Sequence, residues 1–331
     1  MASLDIFNSD AFGVTSMIAA INETPAVPGR LGQMGLFAES GMNTVTAWIE
    51  MQGDSIALIP AGVRGQPAVG RDKGKRKGFD FRAVHLPQTG GIDADEVQGV
   101  RAFGSETETQ AVQAVVNREL ARMRGDLDVT LEWQRMGAIK GQVLDADGTT
   151  VLLDLYSAFG VSQQTYDMVL DNTATKVRNK LVDAKRQGEA YLGGISFSGW
   201  HILASPEFHD AYVAHPDVEK AYDRWQESQF LRSDTRRGFS FADVTIEEYN
   251  ASVGSNRFIA AGKAYMIPLG VRDMFITKFA PADYVETVNT NGIPFYAKQE
   301  LRKFGKGVDM EAQSNPLMLN TRPRAVIELS I

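Results

Sequence analysis

Two periodicities alternate along the chain. From Thr44 to Gly62, in "TVTAWIEMQGDSIALIPAG", Val45, Ala47 and Ile49 alternate with Thr46, Trp48 and Glu50, and "SIALIP" is a second β-prone run. Beyond a Gly-rich polar middle, "GFDFRAVHLP" alternates again: Phe79, Phe81 and Ala83 on one side, Asp80, Arg82 and Val84 on the other. A period of two on both flanks predicts a long β-hairpin. Its loop exceeds the roughly two to five residues usual for hairpins, and loops of such length are functional or disordered.

The period then changes. Val112, Val115, Val116, Leu120, Met123, Leu127, Leu131 and Met136 recur at spacings of three and four, which predicts a helix running to Lys140. "SETE", Ser105 to Glu108, has the form of a capping box at its start. Such a helix would be about 50 Å long at ~1.5 Å per residue, and Gly125 is the place for a bend. "IKGQVLDADGTTVLLDLY" returns to β character, with Asp147-Gly148 as the turn of a second hairpin from about Ile139 to Leu155. A calcium loop does not fit "DADG", because Gly148 falls too early after Asp145.

From Asn172 the pattern is that of a compact α/β unit. "TATKVRNKLVDAKRQGEAYLGG" predicts a helix stopped by glycine. "GISFSGWHILA" predicts a strand, and "SPEFHDAYVA" a helix with Ser205 as N-cap and Pro206 at its first position. His215-Pro216 interrupts that helix before "DVEKAYDRWQESQ" resumes it. "FSFADVTIEEY", "RFIAAGKAYMIPLG" and "RDMFITKF" are each expected to form a strand, and the end of the chain to form long strands broken by prolines. Residues 1–43 read as an extended arm with a short helix around Phe12 to Ile21; an arm with no core of its own must lie on something else.

Composition narrows the function. With 331 residues, 44% of them hydrophobic and 23% charged, the chain is an ordinary globular protein of about two domains. It has no cysteine, which excludes disulfides, thiolate nucleophiles and Cys-based metal sites. Met1 to Ala20 does not read as a signal peptide, and no run approaches the roughly 20 apolar residues of a membrane span. His209 and His215 stand six apart, where helical metal pairs stand four apart, so the four histidines are expected to be packed or solvated. "GGISFSGW" lacks the final glycine of a nucleophile elbow. No phosphate loop or dinucleotide fingerprint is present, so no catalytic, cofactor or metal site is expected.

Charge is distributed unevenly. The chain carries a formal net charge of -7, yet five of the seven residues from Arg71 to Lys77 are basic: Arg71, Lys73, Lys75, Arg76 and Lys77. Nucleic acid would be one partner for such a run, but aromatic interleaving is missing, since Phe79 and Phe81 lie outside it. Asp93, Asp95, Glu96, Glu106 and Glu108, against Arg101 alone, give Ile92 to Glu108 a charge of -4. The sequence therefore holds both halves of a charge-complementary contact between copies.

"GKAYMIPLG", "FAPADYVETVNTNGIPFYAKQELRKFGKGVDMEAQSNPLMLNTRP" and the "IKGQVLDADG" hairpin after a long helix resemble the lambda-type major capsid proteins of tailed bacteriophages, over essentially the full chain and most specifically from Ala280 to Pro323. The resemblance implies the α+β Hong Kong 97 capsid fold. It places an N-terminal arm at 1–43, the E-loop hairpin at 44–88, and a P-domain with a spine helix and hairpin at 89–171. An A-domain then covers 172–289, and 290–331 holds the returning P-domain strands and the last strand. It implies a non-enzymatic subunit of the phage head, assembled in the host cytoplasm into pentamers and hexamers around double-stranded DNA. Portal, scaffolding and decoration proteins are further partners.

In the family the E-loop lies across a neighbour's P-domain, so the basic run is expected to meet the acidic stretch of the next copy. Some shells of this fold join an E-loop Lys to a neighbour's Asn. Lys73, Lys75 and Lys77 lie in the right region, nothing identifies the Asn, and lambda-type shells generally use decoration proteins instead. An encapsulin-like compartment shell and a nucleic-acid-binding module built on residues 71–77 are the alternative readings.

Overall fold

The computed structural model describes residues 13–24, 29–51, 77–98, 108–225 and 235–331. "SIALIP", residues 105–107 of the capping box and the basic residues Arg71, Lys73, Lys75 and Arg76 lie outside them. In chain order the first elements are helices α1 (Val14–Glu23) and α2 (Arg30–Met34), then strands β1 (Ala38–Gly41), β2 (Thr46–Met51), β3 (Lys77–Arg82) and β4 (Leu86–Asp93). Helices α3 (Ala94–Gln98) and α4 (Glu108–Lys140) follow, then β5 (Gln142–Leu144), β6 (Val151–Asp154), α5 (Leu155–Phe159), β7 (Gln164–Asp167) and α6 (Val177–Leu192). After β8 (Gly199–Ala204), α7 (Pro206–Val213) and α8 (Pro216–Trp225) come β9 (Phe239–Phe241), β10 (Val244–Glu248), β11 (Ser252–Val253), β12 (Asn256–Arg257), β13 (Lys263–Leu269) and β14 (Phe275–Phe279). The chain closes with β15 (Tyr296–Leu301), β16 (Gly307–Ser314), β17 (Pro316–Asn320) and β18 (Ile327–Ser330). Among the described residues no helix is long and apolar enough to cross a membrane.

Contacts group the chain into two compact units. The first takes residues 1–47, 81–135 and 276–318. Its axis is α4, a 33-residue helix that continues through Gly125. Val115, Val116, Leu120, Met123, Leu127 and Leu131 are buried, as their spacing requires. Strand β16 is the centre of a three-stranded antiparallel sheet, with β15 on one side and β4 on the other. Strand β1 runs parallel to β14, from Ala38 opposite Ile276 to Gly41 opposite Phe279. Gly41 and Gly292 permit the close backbone approach there: a Cβ on either would fall 2.1 or 2.0 Å from a carbonyl oxygen.

The second unit takes residues 48–80, 136–275 and 319–331. Its six-stranded mixed sheet has the order β7-β18-β13-β8-β10-β9. Helix α7 packs on β8, β10 and β13. Local chemistry fixes the elements. The Ser205 hydroxyl accepts from the Phe208 N–H at 3.3 Å and Pro206 opens α7, as expected. Gly193 ends α6 in the left-handed conformation. The Asp147 carboxylate accepts from Thr149 N–H at 2.9 Å, Thr150 N–H at 2.8 Å and the Thr150 hydroxyl at 2.6 Å, which folds the β5–β6 turn and holds its pKa well below the usual carboxylate range.

Three expectations are corrected. "FSFADVTIEEY" is two strands: Ala242 and Asp243 have φ of 52° and 62° and make a two-residue turn between β9 and β10, a role normally signalled by glycine or asparagine. "GFDFRAVHLP" also divides. The Ala83 N–H bonds to the Val45 carbonyl and the Val84 N–H to the Pro316 carbonyl, after which β4 pairs with β16. Val45, placed on the apolar side with Ala47, is 51% exposed.

Candidate assembly surfaces

The hairpin strands β2 and β3 form a two-stranded sheet of their own. The indole of Trp48 lies over Gly78, where a Cβ would fall 1.9 Å from the ring, and remains largely solvent-exposed. Phe79 meets Phe159 edge to face with centroids 5.0 Å apart. Phe81 and Ala83 are buried, in step with the alternation in the sequence. Of the basic run, Lys77 opens β3.

The acidic stretch begins where β4 ends. Asp93 is already engaged: the Arg302 guanidinium donates to Asp93 from Nη1 and to Asp309 from Nε. These bonds, Asp309 first, raise the Arg302 pKa. The guanidinium lies over Gly91, where a Cβ would meet Nη2 at 1.9 Å. Asp95 and Glu96 stand exposed in the first turn of α3. Glu108 opens α4, and Glu106 lies outside the described residues. Beside Arg302, β4, β15 and β16 bound a groove of about 530 Å³ whose charged lining is Lys298, Glu300, Arg302, Asp309 and Glu311. Lys298 donates to both oxygens of Glu286 at 2.9 and 3.1 Å, and the Tyr284 hydroxyl donates to Glu311 at 3.1 Å.

A charged clasp holds the N-terminal arm to α4. Arg124 donates from Nη1 to the Ile21 carbonyl at 2.7 Å, in the last turn of α1, pairs with Asp128 at 3.0 Å, and stacks 3.7 Å from the Phe295 ring centroid. The buried Glu132 accepts from the Leu31 N–H at 2.6 Å and the Gly32 N–H at 3.2 Å, two of the first amides of α2. A cation at a helix C-terminus and an anion at an N-terminus both complement the helix dipole. Gly29 is required beside this anion, since a Cβ there would lie 2.3 Å from the Glu132 carboxyl carbon.

A model of the family "Phage major capsid protein E" matches residues 13–331. The chain belongs to this family. It is similar to the major capsid protein of Pseudomonas phage KPP10, at 30% identity over 96% of both chains. Among solved structures it is similar to a protein assigned as the capsid protein of an E. coli CFT073 prophage, with a TM-score of 0.61 at 12% identity over 96% of this chain and 99% of that one. It is also similar to the capsid of Myoviridae phage XM1, with a TM-score of 0.51 at 10% identity over 90% of each. The Hong Kong 97 fold implied by the resemblance is therefore the fold of this capsid protein, which associates with itself as part of the virion.

The histidines of this capsid protein divide by environment. His85 meets the Asn315 side-chain oxygen at 2.7 Å, and the buried His201 lies 3.2 Å from Glu247. His215 is buried, 3.1 Å from the Asn172 carbonyl. His209 is buried as well. One ring nitrogen of His209 and one carboxylate oxygen each of Asp210 and Glu248 lie within 4.8 Å of one another. Sequence reasoning also missed Arg124, Glu132 and Arg302. Spacing gives no sign of the contacts that matter here, because Ile21, Leu31 and Asp93 lie 103, 101 and 209 residues from Arg124, Glu132 and Arg302.

Proposed function

We propose that copies of this chain close heterologous contacts into the pentamers and hexamers of an icosahedral head, in the host cytoplasm, around double-stranded DNA that is enclosed without sequence-specific binding. The carrying observation is the family match from residue 13 to residue 331. The division into N-arm, E-loop, P-domain and A-domain at residues 43, 88, 171 and 289 is part of this reading, as are portal, scaffolding and decoration proteins as partners. The net charge of -7 suits a wall that must not clamp packaged DNA.

In this reading Arg71, Lys73, Lys75, Arg76 and Lys77 of one copy meet the acidic stretch of the next. Asp95 and Glu96 are the first acceptors, since both are exposed, with Glu106 and Glu108 beyond them. Asp93 would be shared with Arg302, which already holds it. Each exposed pair contributes only about 0–1 kcal/mol, but the contact repeats over the whole shell.

Negative-stain electron microscopy of the chain at low and high salt, with and without its scaffolding partner, tests both levels. Shells, tubes or rings support the capsid assembly. A monodisperse monomer under every condition overturns it. Reversing all five charges of the run is expected to abolish or weaken assembly and to flatten its salt dependence. Unchanged assembly would reject this contact and leave the shell reading standing.

A further inference from the structure

The tip between β15 and β16 displays an aromatic side chain to solvent. Phe304 is 93% exposed and adopts φ 66°, ψ 16°, a left-handed conformation that a bulky residue rarely takes. The surroundings hold it there. The Arg302 N–H bonds to the Gly307 carbonyl, the Gly305 N–H to the Arg302 carbonyl, and the Ala94 N–H to the Lys306 carbonyl. The Arg302 side chain, bound to Asp93 and Asp309, braces the base of the tip. Backbone strain maintained by a rigid frame points to a use for the displayed side chain.

The same compact unit carries a second apolar feature. Val285 is 86% and Val288 64% exposed, in a loop flanked by the acidic Asp283 and Glu286. This loop is also rigid: the Thr287 hydroxyl donates to the Ala282 carbonyl at 2.7 Å, and the Thr290 hydroxyl to the Thr287 carbonyl at 2.7 Å. Phe304 and the two valines do not cover each other within one copy, since all three stay exposed.

We propose that Phe304 of one copy seats on the Val285–Val288 patch of a second copy, a contact that rests on the capsid reading and adds a surface distinct from the basic run. Charge selects this pairing over tip against tip. The exposed Lys303 and Lys306 flank Phe304, so two tips would bring like charges together, whereas the patch offers the exposed Asp283, beside a Glu286 that already pairs with Lys298. A knob on one surface and its receiving patch on another make the contact heterologous, the type that closes rings.

The chain has no cysteine, so a Phe304→Cys, Val288→Cys variant reports on the contact without background. Oxidised particles of this double variant are expected to give a ladder of linked subunits on a non-reducing gel, with neither single variant doing so. A linked dimer from Phe304→Cys alone would show tip against tip and overturn the pairing. Hydroxyl-radical footprinting of the unmodified chain covers the case in which the variants fail to assemble: Phe304 is expected to lose most of its reactivity on going from free subunit to shell. Shells in which it stays equally reactive overturn this contact alone. Absence of any shell overturns the capsid reading and this contact with it.

Discussion

The six-stranded sheet and the arm clasp are held by different forces. In β8, Trp200, His201, Ile202, Leu203 and Ala204 are all buried, and β13 beside it is buried from Ala264 to Pro268. Gly188 of α6 lies so close to Trp200 that a Cβ would fall 2.3 Å from the indole. Apolar burial of this kind is non-directional. The arm also buries Met17, Ile21 and Leu31, but it adds directed, charged hydrogen bonds from α4: Arg124 to the Ile21 carbonyl and Glu132 to the Leu31 and Gly32 amides. The arm takes part of its anchorage from these bonds, and a change to one atom can weaken it.

Removing core volume should give the largest effect. Leu203→Ala is expected to destabilise the subunit by about 2–5 kcal/mol, read as a lower urea midpoint with an unchanged slope. A loss below ~1 kcal/mol would mean that the sheet is not the stabilising centre. Glu132→Gln comes next. It keeps the shape and removes the charge, with an expected cost of about 1.5–3 kcal/mol in the local anchorage. Hydrogen exchange should rise in residues 30–34 while the β8 amides stay protected; a uniform rise would erase the distinction between the two regions.

The smallest effect belongs to a surface pair of the second unit. Arg257 donates to both oxygens of Glu207 at 2.8 and 3.0 Å, and these bonds bring the Glu207 pKa down to about 2. A depressed carboxyl pKa contributes stability that is present above the unfolded value of ~4.3 and is lost as pH falls through the folded value. Glu207→Gln should therefore remove a small part of the acid dependence between those limits and leave neutral stability almost unchanged, since the pair is solvent-exposed. Stability curves of both proteins from pH 5 to 2 check this.

The sequence was most informative where the cause is local. The α4 periodicity, the Asp147-Gly148 turn and the Ser205-Pro206 start of α7 each depend on residues within a few positions. The β9–β10 turn escaped because Ala242 and Asp243 accept positive φ without the usual glycine. Parallel pairing of β1 with β14 joins residues more than two hundred positions apart, which no local pattern encodes. In the charged stretches of α4, Glu132 reads like any solvated acid; only the fold shows that it is 5% exposed and bonded to another helix. Asp93, one of five acids grouped by charge, differs from Asp95 because Arg302 reaches it from the β15–β16 tip.

The clasp also carries directional information. Arg124 addresses the carbonyl end of α1 and Glu132 the amide end of α2, eight residues further along the same helix. An arm laid down in the opposite sense would set a cation against amides and a carboxylate against carbonyls. Two side chains of opposite sign therefore act as a polarity code, fixing which way the arm runs before shape is consulted.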